Sequence, residues 1–495
     1  MSERWSIRRG DCLEVLRGLP DNSFDGMLSD VPYGLGKREP TPKEMAAYIL
    51  GDSGLDLGGD FMNADWQIPS VAVWKEIFRV LKPGAPVLAF AGPRTQDLIA
   101  IGMRAAGFEV RDCLHWLFAK GFPKALSASK AIDKAVGAKR EVVGKRTLTG
   151  NAAISTKEKG GTYGVQVGSI PPKEVDVTAP STELAKLWDG YATNLKPAYE
   201  PILLGRKPLD GTVANNIARW GVGALAIDAC RLGEHDCSPE EFAAKAKTRT
   251  SPNTYGEHNG GGSKMPTRTI NRWVDGAKPF GGGAGGKYES VEVSAGRWPA
   301  NILLDEGAAD ILDQEVGPRV SGKAVRRHGG GGQIMSGIGD RPYKPKPSLP
   351  DLGYLDGKTN PSRFFFCSKV NTKEREAGCE SLPKRSAGEM TDREDGSAGL
   401  DSPRAGAGRS GGAHNNHPCL KPIALTKWLA TLIKPPTDDC TLLVPYCGSG
   451  SEMIGALRAG WPSVVGIEKE EEYETIARAR LKHWVPEEEE PAGRS

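Results

Sequence analysis

The chain has 495 residues, with 65 Lys plus Arg against 62 Asp plus Glu and a formal net charge of +3. That balance excludes a polybasic arm and a strongly acidic protein, and it leaves room for a local basic groove. The length suits two or three domains, or one domain with a large insertion, and the 63 glycines and 36 prolines require long loops beside a core drawn from the 38% hydrophobic residues.

In chain order, a short strand is predicted over 6–11, ending in Gly10-Asp11. Leu13, Leu16 and Leu19 stand at helical spacing over 12–19. An apolar strand over 24–30 runs into Val31-Pro32-Tyr33-Gly34. An amphipathic helix over 71–81 is stopped by Lys82-Pro83-Gly84. A buried strand follows over 86–91, a helix over 94–106 ended by Gly107, and a strand over 108–118. The middle carries glycine tracts at 260–262, 281–286, 329–332 and 406–412. Between them lie a strand over 198–206, a helix over 213–220, and strands over 301–304 and 364–369. The last part returns to alternation: helix 423–433, strand 440–446, a glycine turn at 447–450, helix 451–459, strand 463–467 and helix 470–483, then an acidic tail. Strands alternating with helices imply an α/β fold with a parallel sheet covered on both faces. The middle reads as a large insertion with flexible loops.

The nine cysteines form no Cys-x-x-Cys pair. Cys230, His235 and Cys237 are too few, at an unusual spacing, for a zinc site, so no metal is expected. Scattered thiols suit a reducing cytosol. The opening residues lack the apolar run of a secretory signal, and no apolar stretch approaches the ~20 residues needed to cross a bilayer. A soluble, cytoplasmic protein is expected.

Two motifs carry chemistry. The first is Leu443-Val444-Pro445-Tyr446-Cys447-Gly448-Ser449-Gly450, followed by a helix, a strand and Glu468. Glycine at a strand–helix turn lets the backbone approach a ligand, and an acid about 20 positions on suits ribose hydroxyls. A nucleoside-containing cofactor fits this pattern, and so does a tight turn followed by an ordinary surface Glu. The absence of a following Lys-Ser/Thr disfavours a triphosphate loop. The second motif, Ser29-Asp30-Val31-Pro32-Tyr33, puts an acid, a constrained carbonyl and an aromatic ring at a strand end. Alone it reads equally well as a turn closed by Asp and Pro.

Together the motifs resemble those of β-type amino-group DNA methyltransferases. Asp30-Val31-Pro32-Tyr33 is similar to that family's Asp-Pro-Pro-Tyr signature, and Val444–Gly450 to its Asp-Pro-Phe-x-Gly-Ser-Gly cofactor motif. His417-Pro418-Cys419-Leu420-Lys421-Pro422 looks like the His-Pro-x-x-Lys-Pro segment before it, and Gly10-Asp11 like the Gly-Asp element upstream of the catalytic loop. Further family-like stretches are Gly121-Phe122-Pro123-Lys124, Lys196-Pro197-Ala198-Tyr199-Glu200-Pro201 and Gly296-Arg297-Trp298-Pro299-Ala300-Asn301. The chain departs from the pattern at Val31, where the family usually has Pro, and at Val444, where it usually has Asp.

The resemblance implies a circularly permuted, Rossmann-like methyltransferase sheet. It divides the chain into a catalytic part at 1–139, an inserted target-recognition region at 140–412, a cofactor-binding part at 413–484 and a tail at 485–495. It implies S-adenosylmethionine as cofactor, held by Asp11, His417, Lys421, Pro445, Tyr446, Gly448, Ser449, Gly450 and Glu468. Glu468 would take the ribose, Asp11 the adenine amino group, and the 417–422 segment the methionine end. Asp30 and the Val31 carbonyl would accept hydrogen bonds from an exocyclic amine, with Pro32 shaping the loop and Tyr33 stacking on a flipped base. The expected partner is double-stranded DNA, contacted through basic residues such as Arg326-Arg327. The expected activity is adenine-N6 methylation at a specific sequence in a bacterial or phage-infected cell. The alternatives are cytosine-N4 methylation and an impaired DNA-binding homologue. A companion restriction enzyme is not readable from the chain.

Overall fold

A computed structural model describes residues 4–36, 38–51, 54–58, 67–119, 125–148, 151–157, 163–169, 173–232, 267–273, 288–294, 298–317, 362, 365–368, 372–386, 389 and 412–485. Outside them lie the 121–124 segment, Gly296-Arg297, Arg326-Arg327, His235 and Cys237, the glycine tracts apart from Gly412, and the tail beyond 485. The chain divides into two compact units: Met1–Arg231 with Asn301–Asp305 and Ser368–Ser495, and Leu232–Ala300 with Glu306–Cys367.

The first unit is built on one large sheet. Its strands that lie wholly in this unit are β1 (Trp5–Arg9), β2 (Gly26–Ser29), β3 (Pro86–Phe90), β4 (Glu109–Leu117), β5 (Tyr199–Arg206), β6 (Ile302–Asp305), β7 (Thr441–Val444) and β8 (Ser463–Glu468). They run in the order β1-β8-β7-β2-β3-β5-β4-β6. The pairs β1–β8, β7–β8, β7–β2, β2–β3 and β4–β6 are parallel. β5 is antiparallel to both β3 and β4. The sheet is therefore mixed, which corrects the expectation of a parallel one. The strand from the middle of the chain enters between two strands of the first part and runs against both.

Apolar runs make the central strands. Every residue of β2 and of β3 is buried, as a strand covered on both faces requires. On one face pack α1 (Cys12–Arg17), α2 (Pro42–Leu50), α3 (Val71–Val80) and α4 (Gln96–Ala105), whose buried Leu16, Tyr48, Trp74, Ile77 and Ile99 join Met27 and Val87 of the sheet in one core. Trp74 and Ile77 are fully buried, and cutting Ile77 to Ala would cost roughly 2–5 kcal/mol through lost transfer energy and a cavity. α2 was not expected from the periodicity, yet it carries its own start signal. Thr41 and Glu44 form a capping box, Pro42 opens the helix, and Gly51 closes it at φ 82°.

α5 (Ile423–Ile433), α6 (Ser451–Arg458) and α7 (Glu471–Trp484) belong to the same unit. Thr426 Oγ1 donates to the Ser451 carbonyl at 3.0 Å, and Gly455 lies so close to Thr426 that a Cβ there would meet Oγ1 at 2.2 Å. Helices Ala128–Ala135 and Glu183–Leu187 and two strand pairs, Val142–Leu148 with Lys173–Thr178 and Asn151–Lys157 with Tyr163–Ser169, complete the unit. The second unit holds an antiparallel pair, Thr267–Trp273 with Tyr288–Ser294, and the helix Glu306–Val316, on which Asp313 accepts from Ser362.

Candidate active site

Parallel sheets bind ligands beyond the carboxyl ends of their strands. Here those ends, at β2, β7 and β8, open on a cleft of about 690 Å³. β7 and β2 are neighbours, and Ser29 Oγ donates to the Pro445 carbonyl at 2.6 Å. The two chemistry-bearing motifs, 416 positions apart in sequence, thus meet through a buried bond. Asp11, Asp30, Val31, Pro32, Tyr33, His417, Lys421, Tyr446, Gly448, Ser449 and Glu468 all line the cleft. Pro445 and Gly450 flank the turn without lining it.

The glycine turn is made by backbone geometry. Tyr446, Gly448 and Gly450 have φ of 52°, 48° and 79°. For Tyr446 that left-handed conformation costs on the order of 1 kcal/mol, which the buried surroundings must offset. Any side chain at 448 would collide with His417, since a Cβ would lie 2.5 Å from Nε2. Arg480, fully buried, fixes the turn from behind: Nη1 donates to the Ser449 carbonyl, Ser449 Oγ and Ser451 Oγ at 2.6, 3.0 and 3.1 Å.

Glu468 ends β8 and folds back over this turn. Its Oε2 accepts from Gly448 N at 2.8 Å, and its Oε1 from Lys469 N and Glu470 N at 3.0 and 2.9 Å. A carboxylate has about four acceptor positions, so capacity remains for a diol. Asp11 caps α1 through Oδ1, which accepts from Leu13 N and Glu14 N. His417 Nδ1 sits 2.5 Å from the Cys419 carbonyl, which assigns the proton to Nδ1 and leaves Nε2 an acceptor facing Gly448. Burial pushes the imidazole down to about 4, so it is neutral. Its ring meets Tyr473 edge-on at 4.5 Å.

The other wall is charged. Lys421 Nζ contacts Asp30 Oδ2 at 2.7 Å and Glu200 Oε2 at 3.3 Å. Burial alone would lower the pKa of this ammonium, but Asp30 and Glu200 outweigh it and hold Lys421 charged. Tyr33 OH lies 2.7 Å from Asp30 Oδ1 and 3.3 Å from Glu200 Oε2. Burial, reinforced by Asp30, keeps the phenol neutral. Lys421, expected at the methionine end of a cofactor, lines the cleft with its ammonium on the Asp30 carboxylate. Val444 is fully buried at the end of β7 and does not line the cleft. Glu452, in the first turn of α6, does line it, with a carboxyl pushed up to about 7 by burial and then by Asp30. Sequence reasoning named neither Glu200 nor Glu452 nor Arg480 as functional. Glu200 did stand inside a quoted family-like stretch.

No catalogued protein family profile matches the chain. A type II methyltransferase of Haemophilus influenzae, M.HindIII, is 24% identical over 241 residues, covering 44% of this chain and 63% of that protein. Over that stretch the chain is similar to a type II methyltransferase. A second relative, the putative methylase YubD of Escherichia coli, is 30% identical over 114 residues, covering 23% of the chain and 42% of YubD. The chain spans less than two thirds of either curated relative. Among solved structures, the cytosine-N4-specific PvuII DNA methyltransferase aligns over 97% of this chain and 87% of its own, with 11% identity and a TM-score of 0.37. Among the described residues, no helix is long and apolar enough to cross a membrane.

Proposed function

We propose that this chain is an S-adenosylmethionine-dependent DNA methyltransferase acting on the N6 amine of adenine in double-stranded DNA. The observation that carries the reading is the meeting of Asp30 and Tyr33 with the Gly448 turn in one cleft, tied by Ser29 and Pro445. The residues fit the cofactor. The Gly448 position has no room for a side chain, Glu468 keeps acceptor capacity for a ribose diol, and both Asp11 bonds use Oδ1. When bound, S-adenosylmethionine supplies an electrophilic methyl carbon on a sulfonium.

The exocyclic amine of adenine is a weak nucleophile because its lone pair is delocalised into the ring. Asp30 and the Val31 carbonyl accept its two N–H bonds and draw the nitrogen toward tetrahedral geometry. Val at 31 supplies the carbonyl as well as Pro would. Positioning contributes several kcal/mol, and the pre-set charges a few more. Lys421 fixes the Asp30 carboxylate in place. Tyr33 offers its ring to the flipped base, offsetting part of the unstacking cost of a few kcal/mol. Glu452 is an acid that lines the cleft, where Val444 supplies none, and is the candidate contact for the cofactor's ammonium. The region 140–412 is assigned to target recognition.

Mass spectrometry of nucleosides from DNA treated with the protein and cofactor tests this. N6-methyladenine is the expected product. N4-methylcytosine would replace adenine as the target. Neither product, with DNA binding intact and no cofactor binding by calorimetry, would identify an impaired homologue.

A further inference from the structure

Two groups hold Asp30, and both also reach Glu200. Tyr33 OH is 2.7 Å from Asp30 Oδ1 and 3.3 Å from Glu200 Oε2, while Lys421 Nζ is 2.7 Å from Asp30 Oδ2 and 3.3 Å from the same Glu200 oxygen. A phenol carries one proton, so Tyr33 donates to one carboxylate at a time. The shorter contact assigns that proton to Asp30. Side-chain exposure rises along the series, from 5% at Lys421 to 13% at Asp30 and 25% at Glu200. The contacts lead from the cleft toward water.

We propose that Glu200 receives the proton released by amine methylation, passed from Asp30 through the Tyr33 hydroxyl. This rests on the amine-methylation reading above. Forming the nitrogen–carbon bond consumes the nitrogen lone pair, and the carbon–sulfur pair leaves with sulfur. The methylated amine then carries one proton too many. Its N–H bond breaks toward Asp30, and the electron pair stays on nitrogen. Protonated Asp30 gives its proton to the Tyr33 oxygen while Tyr33 gives its own to Glu200. The phenol turns over without becoming an anion, and Asp30 returns to its charged state against Lys421. Glu200, the most exposed member, then releases the proton to solvent.

The test combines Glu200→Gln with Tyr33→Phe, which keeps the ring for stacking and removes the hydroxyl. Single-turnover transfer should slow on the order of a hundredfold in each, at the modest end for a proton-transfer group. The double variant should be no slower than either single within about twofold, because both cut one route. Cofactor affinity by calorimetry should stay within about twofold in all three. Added formate should restore transfer in Glu200→Ala. Wild-type rates in Glu200→Gln would overturn the relay. So would multiplying losses in the double variant, or a fall in cofactor affinity that parallels the rate. Wild-type protein that methylates neither base would instead fail the functional reading itself.

Discussion

The two walls of the cleft are specified in different ways. The Asp30 wall is made of side chains, a carboxylate, a phenol, an ammonium and a second carboxylate, with the phenol and the ammonium each contacting both carboxylates at 2.7–3.3 Å. The Gly448 wall is made of backbone, a turn with three positive-φ residues in which Glu468 accepts from the Gly448 amide and Arg480 donates to the Ser449 carbonyl. On the first wall chemistry depends on which groups are present. On the second it depends on what is missing, because any Cβ at 448 fills the space. Substitution should therefore separate transfer from binding.

Asp30→Ala is the largest expected effect. Transfer should fall by roughly a thousandfold or more, since the group facing the amine is lost, while cofactor affinity by calorimetry changes within a few fold. A parallel loss of affinity would mean that the two walls are not separable. Gly448→Ala should do the reverse. A left-handed backbone and a 2.5 Å approach to His417 should cost on the order of 2–3 kcal/mol, read as a weakened cofactor isotherm and a lowered Tm.

Glu452→Gln sharpens the charged wall through pH. The folded state holds the Glu452 carboxyl protonated up to about 7, against an ordinary 4.5. Between those values the folded chain binds a proton that the unfolded chain has released, so stability falls as pH rises through the window. Gln has no charge to bury, and the variant should gain about 3 kcal/mol over wild type at pH 8 while matching it near pH 4. Thermal unfolding across that range checks it, and equal slopes would mean that Glu452 is ionised without cost. Asp11→Ala is the smallest. Losing the N-cap of α1 should cost about 1 kcal/mol of stability, read by denaturant unfolding.

Much of this was legible in the chain, and the physical reason is local. β2, β3 and β7 announce themselves as apolar runs because they are buried on both faces. Asp30, Tyr33 and Gly448 sit in short motifs whose spacing reflects one turn each. What escaped was long-range. Lys421 lies 391 positions from Asp30, and Glu200 lies 167 from Tyr33, so neither pairing leaves a mark in local spacing. Lys421 was read with its sequence neighbours and therefore placed at the cofactor end. The direction of β5 was also invisible, because a strand's residue pattern is the same whichever way it runs. α2 was not predicted although Thr41-Pro42 and Glu44 mark its start.

The wedge position of β5 has a practical corollary for engineering. β5 bonds to β3 on one edge and β4 on the other, and β6 follows β4. A swap that transplants the middle of the chain wholesale, as if it were an independent cassette, would pull a rung out of the central ladder, leave β4 cut off from β3 and take β6 away with it. Chimeras that replace the middle of the chain need their splice points drawn so that Tyr199–Arg206 stays with the host scaffold.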